Sequence, residues 1–275
     1  MAHEGITSVQ NPLVKRLHQL LERKGREAQG CFLVEGAHLV EEALKSGAEV
    51  LTILYDSERD MDAATRRALG SYPLDVQVIA ASSAVLAKLS ETKSPQGIVA
   101  EVKKSREDWN EWIEQRSAGQ EGMLLLLLDE IQDPGNLGTI LRTAEAAGVD
   151  GVVLGKGSVD LYNGKVMRAT MGALFRLPVF TRALTEVAEE WKARGGQLLV
   201  STLHDQSISY EEVHYGQKTA IVIGNEGRGV SSAIVDRADQ LVHIPIYGRA
   251  ESLNAAVAAG VFVYEAQRKR KDRLS

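Results

Sequence analysis

The 275 residues are 44% hydrophobic and 25% charged, with a net charge of −5 and a single cysteine. These values fit a globular chain with room for two cores; they exclude an intrachain disulfide and argue against a large nonspecific nucleic-acid surface. The longest apolar run, Met123–Leu128, is far too short to cross a bilayer, and residues 1–5 lack a signal-peptide pattern, so a cytoplasmic protein without a membrane partner is expected.

Residues 5–30 read as a helix with a basic face, capped near Asn11-Pro12. This stretch carries Lys15, Arg16, Arg23, Lys24 and Arg26 against three acids, a local +2. Strand and helix signals then alternate. Strands are expected at 31–34, 50–54, 76–80 and 97–102, with helices at 35–45, 61–69 and 82–89 and Ser82 as an N-cap. Cys31 opens an apolar run and reads as a small core residue. Together residues 1–104 form a small α/β domain. Residues 105–122 are charged and read as a linker, a short amphipathic helix and a loop, with Trp109 and Trp112 docking it on a domain. A second α/β series fills 123–275. It holds a buried strand at 123–128, helices at 137–147, 165–174 and 185–194, strands at 151–154, 198–202, 220–223 and 241–244, and a last helix at 252–271. Its end, 265–275, holds Arg268, Lys269, Arg270, Lys271 and Arg273 against two acids, a local +3. Either basic cluster alone reads as a solvated helix face; two in an acidic chain leave a specific polyanion partner open.

Three turns in the second series carry the chemical signal. The first leaves the strand at 123–128 through Asp133-Pro-Gly-Asn136 and enters a helix on which Thr139 and Arg142 share the outward side. Arg142 either faces a ligand at the sheet's carboxyl edge or pairs with Glu145 on the same helix. The second turn, Gly224-Asn-Glu-Gly-Arg-Gly229, is spaced G-x-x-G-x-G, which is not the dinucleotide fingerprint. Six residues, where a Walker loop has four, separate Gly157 from Gly164-Lys165. A nicotinamide oxidoreductase and an ATP site are rejected on those grounds. The third turn runs from Ile244 through Pro245 and Gly248 to Ser252, a good N-cap, and Asn254. The six histidines show no ligand spacing, so no metal is expected.

In order, Asn136…Arg142, Gly224-Asn-Glu226-Gly and Ile244-Pro…Ser252-Leu-Asn254 resemble the motifs of the SpoU/TrmH-type RNA 2′-O-ribose methyltransferases of the SPOUT superfamily. Residues 165–173 look like the family's intermediate segment, with Thr170 in place of a serine, and Phe32-Leu-Val-Glu-Gly36 resembles its RNA-binding extension. The resemblance implies a C-terminal parallel sheet with a trefoil knot, a smaller N-terminal α/β domain similar to a ribosomal protein, bound S-adenosylmethionine, and a homodimer through the C-terminal domain. It implies cofactor contact at Thr202, Leu203, Gly224, Asn225, Ile244, Ile246 and Leu253, and chemistry at Arg142 and Asn136 with Glu226, Ser252 and Asn254 in support. Lys15, Arg16, Arg23, Lys24 and Arg26 would face RNA. A guanidinium holds its proton at working pH, so Arg142 is expected to clamp a phosphate and stabilise a developing alkoxide. The implied substrate is structured RNA, with ribosomal RNA preferred and tRNA possible. A noncatalytic RNA-binding or ribosome-assembly protein on the same fold is the alternative of a different class.

Overall fold

Asn11 and Pro12 start the first helix, α1 (Pro12–His18): Asn11 Oδ1 accepts from the Leu13 N–H at 2.8 Å and the proline fills the first helical position. The computed structural model describes residues 5–70, 72–119 and 122–271; His3 and Arg273, both noted in the sequence, lie outside them. The continuous helix expected over 5–30 is broken. Ile6 instead bridges to Ala81, Gln19–Leu21 form a 3-10 turn, Glu22 is extended at φ −99° and ψ 144°, and α2 (Arg23–Gln29) follows. Gly25 explains the break. A Cβ there would lie 1.9 Å from the Gln19 carbonyl oxygen, so the second helix folds back on the first at a distance only glycine permits.

Next come β1 (Cys31–Glu35), α3 (Ala37–Lys45), β2 (Val50–Asp56), α4 (Ala63–Ala68), β3 (Gln77–Ala81), α5 (Ser83–Lys88) and β4 (Ile98–Lys103). Ser82 caps α5 by accepting from the Val85 N–H. The sheet order is β1-β4-β2-β3; β3 runs parallel to β2 and the other pairings are antiparallel. Ile53, Ile98 and Val102 pack with α3 on one face, and Leu54, Val85 and Val14 on the other. Cys31 is buried in this second layer.

The expected linker begins with α6 (Trp109–Gly119), whose tryptophans are core residues: Trp109 and Trp112 are buried against Phe180, with ring centroids 5.3 and 5.1 Å away. Then follow β5 (Met123–Leu128), α7 (Pro134–Ala146), β6 (Gly151–Gly155), α8 (Gly164–Thr170), β7 (Val179–Arg182), α9 (Leu184–Ala193), β8 (Gln197–Ser201), β9 (Ile208–Ser209), β10 (Lys218–Ile223), α10 (Ser232–Val235), β11 (Gln240–His243) and α11 (Ala255–Lys271). All the strands from β5 on form one parallel sheet, ordered β7-β6-β5-β10-β8-β11-β9. Every residue of β5 is buried, as a parallel strand covered on both faces requires. The short edge strands β7 and β9 were not legible in the sequence.

By internal contacts the described chain forms two units. One comprises the residues up to Arg106 with Asp160–Arg176, and the other Glu107–Val159 with the residues from Leu177 on. The segment carrying α8 therefore packs in the first unit, where Met167 and Tyr162 lie against the β1 side of its core. Among the described residues no helix is long and apolar enough to cross a membrane.

Candidate active site

Strands β10, β8 and β11 are neighbours and parallel, so the loops leaving their carboxyl ends meet. That edge of an open parallel sheet is where ligands lie. The three loops frame a cleft of about 590 Å³. Thr202 and Leu203 line it from the loop after β8, Gly224 and Asn225 from the loop after β10, and Ile244, Ile246 and Leu253 from the loop after β11. Asn136, Glu226, Ser252 and Asn254 line it too.

The loop after β10 closes on itself. Asn225 N donates to Gly229 O at 3.0 Å and Gly229 N returns to Asn225 O at 2.9 Å, with Gly229 at φ 71°. Asn225 Oδ1 accepts from the Gly227 and Arg228 amides at 2.9 and 3.0 Å, and its Nδ2 donates to Glu130 O at 2.8 Å. Gly224 lies under this ring: a Cβ there would be 2.2 Å from Gly229 C.

Glu226 ties the loop to α7. Its carboxylate accepts from Gln132 N and Asp133 N, each at 3.1 Å, and from Asn136 Nδ2 at 3.0 Å. Asn136 sits in the first turn of α7, where Asp133 Oδ1 accepts its N–H at 2.8 Å. Its own Oδ1 accepts from Asn254 Nδ2 at 2.9 Å. One relay, Glu226–Asn136–Asn254, thus joins the loops after β5, β10 and β11. Burial acts to raise the Glu226 carboxyl, but the hydrogen bonds outweigh it, Asn136 foremost, and hold it below the usual glutamate value. A lowered value means that the carboxylate's contribution is complete above the ordinary glutamate range and is lost as pH falls through the folded-state value. Amide exchange at Gln132 and Asp133 is therefore expected to stay protected from neutral pH down to the ordinary glutamate range and to open below it. Glu226→Gln, which lacks the charge, should open them already at neutral pH; equal protection in wild type and variant would contradict the clamp.

Ser252 lines the cleft but does not cap the last helix, as the sequence had suggested. The helix starts at Ala255, and Asn254 Oδ1 accepts from the Ala256 and Val257 amides at 2.9 and 3.3 Å. Arg142 lies outside the cleft lining, on the exposed face of α7 two turns beyond Asn136. No hydrogen bond or ion pair holds it among the described residues, so the pairing with Glu145 is not formed. Sequence reasoning overlooked Glu130, a non-glycine residue at φ 54°, and Arg228, whose guanidinium it binds. Arg228 sits inside the second turn and Glu130 just ahead of the first; only the fold shows that they meet.

The basic residues of the N-terminal region separate into two kinds. Lys15 and Lys24 are exposed. Arg16 pairs with buried Glu101 at 2.5 and 2.8 Å, and Arg23 with Glu27 at 2.7 Å. Arg26 must be withdrawn from the RNA-facing set. It is 5% exposed, donates to Leu20 O and Leu21 O at 2.8 and 2.7 Å, and pairs with Asp160. The 3-10 turn leaves those two carbonyls needing donors, and Arg26 satisfies them.

A cleft enclosed by the carboxyl-edge loops of a parallel sheet is where open α/β folds bind a small-molecule ligand. Comparison with known proteins is more specific. Residues 123–264 match the SpoU rRNA Methylase family, and residues 11–100 an MRM3-like substrate binding domain. The 23S rRNA (guanosine(2553)-2′-O)-methyltransferase RlmP of Bacillus subtilis (strain 168) is 38% identical over 259 residues, 94% of this chain and 97% of that protein. The AdoMet-bound rRNA methyltransferase from Sinorhizobium meliloti aligns at TM-score 0.82 with 30% identity, over 96% of this chain and 97% of its own. The SpoU methyltransferase AviRb from Streptomyces viridochromogenes, in complex with AdoMet, aligns at 0.83 with 32% identity, over 95% and 99%. The chain belongs to the SpoU rRNA methylase family.

Proposed function

We propose that the protein is an S-adenosylmethionine-dependent methyltransferase acting on the 2′-oxygen of a ribose in ribosomal RNA. The observation that carries this reading is the cleft itself, closed by the loops after β8, β10 and β11 and tied to the Arg142 helix by the Glu226–Asn136–Asn254 relay. Its fit to the cofactor is physical. The volume lies in the range of small-molecule sites, and the lining mixes aliphatic residues such as Ile223, Ile244 and Leu253 with a few polar ones such as Asn225 and Asn254, as a nucleoside requires. Thr202, Leu203, Gly224, Asn225, Ile244, Ile246 and Leu253 would hold the cofactor. When bound, it supplies a methyl group on a sulfonium, a donor that needs no further activation.

The chain's own residues then have to position an RNA ribose and stabilise charge. Arg142, unpaired on the outer face of α7, holds a phosphate of the target nucleotide and offsets negative charge developing on the 2′-oxygen, whose proton leaves to solvent as the new O–C bond replaces the S–C bond. Asn136, Glu226 and Asn254 fix the register between that helix and the cleft, and Ser252 offers a hydroxyl at its rim. Residues 1–104 serve as the RNA-binding domain, with Lys15 and Lys24 free to meet phosphates and Arg16 and Arg23 at their side. RNA recognised by shape and backbone suits such a surface.

A homodimer completes this reading. Leu203, Tyr247, Leu253, Val257 and Tyr264 are large apolar side chains left uncovered around the cleft and α11, and a second copy would cover them. A threaded C-terminal segment is part of it as well: after β11, on the far side of β8 from β10, the chain returns so that α11 packs on α7. The protein is expected to work in the cytoplasm. Titration calorimetry with S-adenosylmethionine tests the reading against a noncatalytic RNA-binding role: saturable binding supports it, and no heat of binding contradicts it.

A further inference from the structure

Arg228 follows Gly227 in the loop after β10. Its backbone is fixed, because its N–H donates to Asn225 Oδ1 at 3.0 Å. The residue borders the cleft; its side chain is 73% exposed, and the Glu130 carboxylate of the loop after β5 binds its guanidinium. Glu130 stands at φ 54°, a left-handed backbone that glycine adopts freely and glutamate does not. The turn has a structural reason: it aims Glu130 O at Asn225 Nδ2, 2.8 Å away. Any residue's carbonyl would serve that purpose, and glycine would serve it without strain. What a glutamate adds is the carboxylate on Arg228. An exposed ion pair of this kind contributes little to stability, so stability does not account for it.

We propose that Arg228 is a second RNA-phosphate contact of the active site and that Glu130 is its stand-in anion, released when the RNA backbone arrives. This inference rests on the methyltransferase reading above. Arg142 and Arg228 then grip the substrate from two elements, α7 and the cofactor loop, and the Glu226 relay holds those elements in register. The exchange of one anion for another explains why the cation is paired yet exposed. Without Glu130, a bare guanidinium beside the cleft would attract any passing anion; with it, only a polyanion that also engages Arg142 displaces the carboxylate.

The test measures binding of an unmodified ribosomal RNA transcript that the wild-type protein methylates, as a function of salt. Loss of one phosphate contact lowers the slope of log affinity against log salt by about one. Arg228→Ala is expected to show that change and to weaken RNA binding about tenfold at low salt, with S-adenosylmethionine affinity unchanged. Glu130→Gln, which removes the competing charge, should tighten RNA binding, and that gain should vanish in the double variant. An unchanged slope in Arg228→Ala overturns the inference. So does weakened cofactor binding with unchanged RNA binding, which would assign the guanidinium to the carboxylate of the cofactor. If wild type methylates no RNA, the functional reading itself fails, and this inference with it.

Discussion

Arg142→Ala is expected to lower kcat about 100- to 1,000-fold while leaving S-adenosylmethionine affinity within about twofold of wild type. The residue lies outside the cleft lining, so its loss removes nothing from the cofactor's walls. It is exposed and unpaired, so its loss also removes no contact from the fold. What disappears, on the proposed reading, is the forked cation that meets an RNA phosphate and offsets the charge of a developing alkoxide. Arg142→Lys separates charge from shape. A lysine keeps the charge but not the planar pair of donors, so most activity should still be lost. Single-turnover methyl transfer beside calorimetry checks both points. Near-normal turnover in Arg142→Lys would show that a point charge suffices, and near-normal turnover in Arg142→Ala would remove Arg142 from the mechanism.

The second large effect belongs to Gly224. A Cβ at this position would lie 2.2 Å from Gly229 C, 2.3 Å from Val230 N and 2.6 Å from Gly229 O. All three atoms are backbone, and the ring they belong to is closed by the Asn225–Gly229 hydrogen-bond pair, so no flexible side chain can move aside. Gly224→Ala must open that ring. Overpacking of this kind costs about 1–3 kcal/mol or more, which converts to roughly 5- to 100-fold or more in cofactor Kd if the closed ring is the binding form. Gly227→Ala is the control. A Cβ there would meet Asn225 Oδ1 at 3.7 Å, an ordinary contact, and cofactor affinity should change little. Calorimetry on the two variants decides the matter; equal affinities would mean that the ring does not shape the cleft.

Much of this molecule is written in its sequence because local signals and tertiary contacts agree. Met123–Leu128 is an apolar run of the kind expected for a buried parallel strand, and Ser82 and Asn11-Pro12 cap helices where such residues usually do. The cleft was legible for a related reason. Turns rich in glycine, proline and asparagine after apolar runs mark carboxyl-edge loops, and those loops meet once the strands are parallel neighbours.

The failures have physical causes that no local window contains. Residues 5–30 carry helical periodicity, but Gly25 lets the chain fold back on Gln19, a contact between turns that periodicity does not encode. Arg26 looked like part of a basic face because its two carbonyl partners exist only after that break. Ser252 and Asn254 are both good caps two residues apart; Asn254 takes the role, and its amide also reaches Asn136, 118 positions earlier. Glu130 and Arg228 likewise meet across 98 positions. Residues 165–173 matched the methyltransferase series, yet their side chains pack among those of the first unit, a grouping that follows from contacts and not from chain order.

The central claim is methyl transfer to a ribose 2′-oxygen of ribosomal RNA, and the most direct measurement uses labelled S-adenosylmethionine with separate unmodified ribosomal RNA and tRNA pools, followed by nucleoside mass analysis. The account predicts a 2′-O-methylnucleoside in the ribosomal RNA pool with the wild-type protein and none with Arg142→Ala. Label on a base, or label confined to tRNA, would contradict it.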